Sequence, residues 1–574
     1  MLKFFCDVAR NLLFILALVF SIDVSHSQNV GESSEITDEK IEQVCSEMDK
    51  LIPETMQKLG IPGAAYVVAR KNKIAHVATF GLTAIDKEKA EPVSPETLFP
   101  LSSLSKNVTA TLVGALVDAG KIKLDDKVRK YLPCFFLGTE ELSAEITIKD
   151  LISHRSGFKH FASESLFVAN YDNDTILNAL KILKPKPEKF RKSYGYQNVI
   201  YGLVGFVLEA ATGEKYEDLV KKYIFDKMKM ENSSVIPLMC EESFWQFTKY
   251  KFAELRDNIN SRGFFAAIKI FASELLNHKS KRVVTTHSRY NGVIYELEKS
   301  YFYQKFAATA GVSFSAIDMA KFLIMIANKG TFEGRQIVSK EVFEELETEK
   351  VEISRMKDTD HTFPIERIER KDAHYCSGIF RAHYSDKGTN AHQIFFHTAG
   401  IAGASAFLCY SRPDDIYVSV ICNFGGSAHS SFSEYTCFDI LDRCFGFVKF
   451  DWAQKDLDNR AYVEHKKSQI KNHLSRNIAP MDSIDKYVGT YSNDIYKEIK
   501  IFKKGDKLML SNGIRTIQLK HLNRDIFEFP EKDLIYAYCD TDDYAIFIKD
   551  DIGNITSLDL LCFHENNSRF EKVE

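Results

Sequence analysis

No Cys-x-x-Cys pair and no His-Glu-x-x-His occurs anywhere in the 574 residues. The first absence leaves little room for a thioredoxin-like or paired-thiolate zinc site. The second removes the helix-borne zinc of a metalloprotease, so no metal and no other cofactor is expected. Charge of one sign is also missing. Lys and Arg number 75 against 79 Asp and Glu, a net charge of −4, so no basic excess points to a nucleic acid. Beyond the N-terminus no apolar run reaches the ~18 residues that a membrane span needs. There is no sequence repeat of fixed period. What remains is the composition of a globular chain, 45% hydrophobic and 27% charged, long enough for about two to four domains.

The first residues read as a secretory signal. Lys3 and Arg10 supply a positive segment ahead of a short, mostly apolar run, Leu12 to Val24, and Ser25-His26-Ser27 puts small residues where a signal peptidase reads. Residues 1–27 are expected to be removed between Ser27 and Gln28, which makes the protein secreted or lumenal. The run is short for an uncleaved anchor. Of 11 cysteines, Cys6 would leave with the signal. The rest meet an oxidising compartment, and Cys539 with Cys562 is the best candidate bridge; buried free thiols are the alternative. Five Asn-x-Ser/Thr sequons occur. Asn173, Asn232, Asn554 and Asn566 are expected to carry glycans; Asn107 is expected not to.

Residues 28–38 are polar and read as a disordered lead-in. Glu39 to Leu59 has helical spacing, and Ala64–Ala69 with Ile74–Phe80 reads as two strands about a turn. Helices are expected over Val199–Ala211 and Ala316–Asn328, and a hairpin over Ala404–Tyr410 and Ile416–Asn423. Residues 39–450 thus form one domain. Within it an insertion, 241–305, carries Phe264, Ile268, Phe271 and Leu275 on one helical face. It reads as a cap over a cleft, as a solvated basic helix pair or, with least support, as a membrane-surface contact. A charged linker helix is expected in 451–480. From 481 to 574 alternating pairs such as Ile499/Ile501, Leu508/Leu510 and Phe527/Phe529, with turns at Gly505 and Asn512-Gly513, read as a small antiparallel β domain.

Ser103 stands one helical turn before Lys106, where an extended segment gives way to a helix. That spacing puts hydroxyl and amine on one helix face, and a desolvated lysine can activate a serine. Ser-x-x-Lys alone is weak. It occurs five times, also at Ser156, Ser354, Ser468 and Ser483. Context sets Ser103 apart: Val108, Leu112, Val113, Leu116 and Val117 give an expected amphipathic helix that Gly120 ends, so the serine lies at a helix N-terminus. Two further motifs follow in order, Tyr196-Gln197-Asn198 before a helix and His397-Thr398-Ala399-Gly400 on a strand. His154 reads as a structural histidine in a loop near the cleft.

This ordered set resembles the serine β-lactamase-like and penicillin-binding superfamily, nearest to class C β-lactamases, serine esterases of that fold and animal β-lactamase-like proteins. The flanks Ile61-Pro62-Gly63-Ala64, Leu151 to Gly157 and Ala310-Gly311 resemble the family's recurring segments, over roughly residues 40–450. Tyr487-Val488-Gly489-Thr490-Tyr491 resembles the barrel-like appendage of many members. The resemblance implies an α+β fold: a five-stranded antiparallel sheet flanked by helices, a helical region, and a C-terminal β domain. It implies a serine hydrolase acting on a small-molecule or peptide-like ester or amide through a Ser103 acyl-enzyme. Lys106 or Tyr196 would be the base, and Asn198 would orient the lysine. His397 would bind an anion or relay a proton, with an ordinary pKa of about 6.5. The oxyanion hole would be the backbone of Ser103 and Gly400. Ala399 replaces the family's usual glycine and either narrows the cleft or has no effect. The alternative is an inactive binding or assembly protein on the same fold. No membrane partner is expected; a homo-oligomer is compatible with the sequence.

Overall fold

The computed structural model describes residues 36–168, 171–235, 283–290, 293–297, 306–353, 367–386, 389–425, 431–476, 478–529, 544–561 and 568–573. The signal segment with Ser27 and Gln28, the lead-in to residue 35, the helical face around Phe264, the Cys539/Cys562 pair and Asn566 lie outside them.

The larger domain is built on one antiparallel sheet. Its strands are β1 (Gly63–Arg70), β2 (Lys73–Gly81), β3 (Val351–Glu352), β4 (Ile368–Tyr375), β5 (Phe380–Asp386), β6 (Thr389–Ile401), β7 (Ala404–Ser411) and β8 (Ile416–Cys422), in spatial order β3-β4-β5-β6-β7-β8-β1-β2. The sheet therefore has eight strands rather than the five expected. β3, β4 and β5 extend the sheet beyond β6, on the side away from β1 and β2. β1, β7 and β8 are buried on both faces, so alternate side chains feed two cores. Tyr66, Val68, Phe407 and Cys409 meet α1 (Asp38–Leu59) and α6 (Phe432–Phe445) on one side. Ala65, Val67, Leu408 and Tyr410 share the other core with α2 (Ser105–Asp118), α4 (Asn198–Thr212) and α5 (Ala316–Ala327).

Local chemistry sets the ends of these helices. Thr37 caps α1 through its side chain, and Gly60, at φ 69°, closes it in the left-handed region. Helix α2 departs from its expected amphipathic character: every residue from Ser105 to Leu116 is buried. Its Thr109, Ala110, Thr111, Gly114 and Ala115 do not face water. They are small enough to let neighbouring elements pack on that side too. An amine carried near the start of such a helix is removed from solvent, and this decides the chemistry below.

Of the 241–305 insertion, the described part includes a hairpin, His287–Tyr290 with Val293–Glu296. Its His287 backbone N–H donates to the carbonyls of Gly403 and Asn423, which fastens it to the end of β7 and β8. A polar helix, α7 (Trp452–Leu474), leads onward, with only Trp452 and Asp456 buried. The last domain is a closed barrel of eight strands, from β9 (Gly489–Asn493) to β16 (Arg569–Lys572). Closure comes from pairing Tyr491 with Lys572 and Ser492 with Glu571. Ile499, Ile501, Leu508, Leu510, Phe547 and Phe570 are buried inside. The seven described cysteines are free thiols, six of them buried. Among the described residues no helix is long and apolar enough to cross a membrane.

Candidate active site

A 3₁₀ turn, Ser102–Leu104, runs directly into α2 and packs against β6. Ser102 holds φ 50°, an unusual conformation for a side chain other than glycine. Such strain persists only where surroundings impose it. Here Ser102 is fully buried, and the turn presents the next residue, Ser103, half-buried at the cleft.

The structure brings together Ser103, Lys106, Tyr196 and Asn198. Lys106 Nζ lies 3.0 Å from Ser103 Oγ. The amine also donates to Asn198 Oδ1 at 2.6 Å and to the Thr309 carbonyl at 3.3 Å. The Tyr196 hydroxyl donates to Ser103 Oγ at 2.8 Å. This set fits a neutral amine. Two of its neighbours are acceptors only, and they use two N–H groups. The third is a hydroxyl, which can give its proton to the remaining lone pair while it accepts from Tyr196.

Burial points the same way. Lys106 is fully buried, and desolvation lowers its pKa from the ordinary lysine value to about 7, against a counter-effect from Glu164. Desolvation pushes Tyr196 above the usual tyrosine range, partly opposed by its hydrogen bond to Ser103. Of the two candidate bases, the lysine moves toward its reactive form and the tyrosine away from it. Sequence spacing left this choice open.

His397 overturns an expectation. It is fully buried, and desolvation with the nearby Lys106 charge lowers its pKa to about 3. Nδ1 lies 2.7 Å from the Thr398 carbonyl and Nε2 3.3 Å from the Tyr375 hydroxyl. The ring is therefore neutral near pH 7, with both nitrogens engaged. A neutral ring offers no positive charge to an anionic substrate, and burial holds the imidazole below its ordinary value of about 6.5. Ala399, the other departure, is 3% exposed and belongs to the core. Its methyl packs inward instead of standing in the cleft. Gly400 is exposed, and a Cβ built there meets nothing within 4 Å. The described β5 ladder stops at Phe380 opposite Phe396, whereas β7 pairs with β6 as far as Ile401. The rim of β6 beyond Phe396 thus adjoins the serine turn.

Several site residues escaped the sequence reading. Glu164, at the start of the short helix α3 (Glu164–Val168), accepts from Asn198 Nδ2 at 2.8 Å. Thr309 contributes its carbonyl to Lys106 and its hydroxyl to Asn198 Oδ1, at 3.3 Å. Gly378 sits at φ 77°, where a Cβ would come 2.7 Å from the Lys106 carbonyl. Tyr201 donates to that same carbonyl at 2.8 Å. His154 proves to be a support. It accepts from the Gln197 backbone at 3.2 Å, and its ring lies 4.4 Å from the Tyr196 ring. Its pKa falls well below the usual value through burial and the Lys106 charge. Of the sequons, Asn554 is exposed, Asn173 and Asn232 are half-buried, and Asn107 is 8% exposed on α2. Among the described residues no cluster of potential metal ligands occurs.

A strained serine turn beside the rim of a central antiparallel strand, with a buried amine and a tyrosine converging on the hydroxyl, has the layout of the serine β-lactamase-like superfamily. Residues 48–436 match the Beta-lactamase family model, and the chain belongs to that family. Residues 475–572 match a domain described only as of unknown function, DUF3471. Among curated relatives, the "Beta-lactamase" of Psychrobacter immobilis is 27% identical over 224 residues, 38% of this chain and 52% of that one. "Protein flp" of Staphylococcus aureus strain N315 is 26% identical over 192 residues, 33% of this chain and 38% of that one. The chain thus spans about half the length of these relatives or less. A solved octameric penicillin-binding protein homologue from Pyrococcus abyssi shares the fold, with TM-score 0.52 and 21% identity, over 92% of this chain and 100% of that one.

Proposed function

We propose that the protein is a secreted serine hydrolase that opens an ester or amide bond through an acyl-enzyme at Ser103. One observation carries this: Ser103 Oγ lies within hydrogen-bond distance of both the buried Lys106 amine, at 3.0 Å, and the Tyr196 hydroxyl, at 2.8 Å. In acylation Ser103 Oγ bonds to the carbonyl carbon while its proton passes to Lys106. The carbonyl π pair moves onto oxygen, which the backbone N–H groups of Ser103 and Gly400 would hold. Collapse expels the alcohol or amine, which leaves with a proton relayed from Lys106 by way of Tyr196. Water then repeats the sequence on the acyl group and restores Ser103.

The neutral His397 argues for substrates that need no carboxylate anchor at this strand, and against a cell-wall carboxypeptidase role. A secreted location predicts a mature N-terminus at Gln28 and glycans on Asn173, Asn232, Asn554 and Asn566, both readable by peptide mass spectrometry. Self-association is part of the proposal too, as the octameric relative suggests, and light scattering during size-exclusion chromatography measures it. The deciding experiment is intact-mass analysis after a fluorophosphonate serine probe, on wild type and Ser103→Ala. One adduct, lost in the variant, is expected. A folded wild-type protein with an accessible cleft and no adduct would transfer the function to binding or assembly.

A further inference from the structure

Glu164 takes no part in that scheme, yet it is 8% exposed, and a buried carboxyl needs a reason. Its backbone N–H donates to the Phe161 carbonyl at 2.9 Å. Oε1 accepts from Asn198 Nδ2 at 2.8 Å, while Oε2 is buried without a hydrogen-bond partner. The far end of the same amide faces the amine: Asn198 Oδ1 accepts from Lys106 Nζ and from Thr309 Oγ1. The two ends of one amide thus read opposite groups, and turning it over would set donor against donor.

We propose that Glu164 is a positioning residue of the hydrolase: through Asn198 it keeps an acceptor aimed at Lys106, and its carboxylate is the counter-charge of the ammonium formed each time Ser103 surrenders its proton. The proposal rests on Lys106 being the base. An ammonium in a fully buried site is costly unless an anion accompanies it. The other titratable groups around the amine are Tyr196 ahead of α4, Tyr201 within α4 with its ring centre 5.5 Å from Nζ, His154 in its loop and His397 on β6. All four are held neutral near pH 7 by burial. Glu164 is the charged group that acts on Lys106. Desolvation raises the pKa of its own carboxyl, and its bond from Asn198 and the Lys106 charge work against that rise. Amine and acid therefore both change charge near neutrality.

The test compares wild type with Glu164→Gln and Glu164→Asp. Glutamine still accepts from Asn198 but carries no charge; aspartate keeps the charge on a shorter arm. Two readouts are taken from pH 5 to 9: the rate constant for fluorophosphonate labelling, and the titration of Lys106 followed by NMR of ¹³Cε-labelled lysine. The Lys106 resonance is assigned by its loss in Lys106→Arg. Glu164→Gln should move the acid limb of the rate and the Lys106 midpoint down by about one pH unit or more. It should also slow labelling on the plateau by about ten-fold or more. Glu164→Asp should bring the midpoint back toward wild type. A slower rate with both midpoints unmoved would reduce Glu164 to packing and overturn the proposal. If wild type fails to label, the hydrolase reading falls, and the NMR midpoint alone then judges the Glu164–Lys106 pair. Thermal melts confirm that each variant is folded.

Discussion

Replacing Lys106 with arginine separates the charge of this side chain from its basicity. A guanidinium keeps a positive charge and N–H donors for Asn198 and Thr309, but it does not deprotonate in a protein. The size of the effect follows from burial. An ordinary lysine, with a pKa of about 10.4, is neutral in only about 1 molecule in 2,500 at pH 7. With the pKa lowered to about 7, about half of the Lys106 amines are neutral there. Burial thus greatly enlarges the supply of neutral amine, a gain offset in part because a less basic amine takes the proton less readily. Lys106→Arg should slow fluorophosphonate labelling of Ser103 by about 10² to 10⁴, the usual range for loss of a general base. Lys106→Met, which is closer to lysine in bulk, should lose as much. In wild type the rate should rise about ten-fold per pH unit below the lysine's pKa and flatten near pH 7, because the base acts unprotonated. Were Tyr196 the base, the limb would lie above pH 10. A Lys106→Arg rate within ten-fold of wild type, or a wild-type rate flat from pH 5 to 9, would refute the assignment.

Tyr196→Phe removes a donor to Ser103 but no base, so labelling should fall by about 10² while the acid limb stays in place; a displaced limb would show that the phenol titrates. Lys106→Met leaves the Asn198 Oδ1 and Thr309 carbonyl acceptors without the amine and Glu164 without its counter-charge, so it should destabilise the fold by about 1–3 kcal/mol, read from denaturant melts. The folded lysine has a lowered pKa, so native protein binds fewer protons than unfolded protein between about pH 7 and 10, and wild-type stability rises across that window. The cost of Lys106→Met should therefore be smallest at pH 6 to 7 and grow toward pH 10. Asp150, fully buried, accepts from Thr147 Oγ1 at 2.8 Å and from Arg191 Nη2 at 2.8 Å, and it supports the loop that carries His154. Asp150→Ala should cost about 3–5 kcal/mol in a urea melt, because it also strips the carboxylate from the mostly buried Arg155, whose Nε lies 2.7 Å from Oδ1.

Ser103, Lys106, Tyr196 and Asn198 were legible because each sits in a short motif at an element boundary, where spacing alone fixes the facing direction. Glu164 was not. Ser163-Glu164-Ser165 reads like any solvated helix start, and only the fold turns it inward to Asn198, 34 residues on. His397 was legible as a strand residue but not as a neutral one. Its ionisation is set by Tyr375, by Phe380 with its ring 5.3 Å away, and by Lys106, from different parts of the chain. Helix α2 misled in another way. Its Thr and Ser residues suggested a wet face, but Thr109 spends its hydroxyl on the Ser105 and Ala308 carbonyls and on Tyr216. In the last domain alternation revealed the strands. Closure stayed hidden, because it depends on pairing Tyr491 with a residue 81 positions later.

That closure limits how residues 489–572 can meet anything else. An open sheet offers its outer strand as a template, and another chain can extend it by backbone hydrogen bonds with little regard for sequence. A ring of eight strands offers no such outer strand. Whatever this domain recognises must be read by side chains on the wall of the ring or by the loops at its two ends. Single substitutions there should then alter recognition sharply, and an extended peptide of arbitrary sequence should not adhere to it.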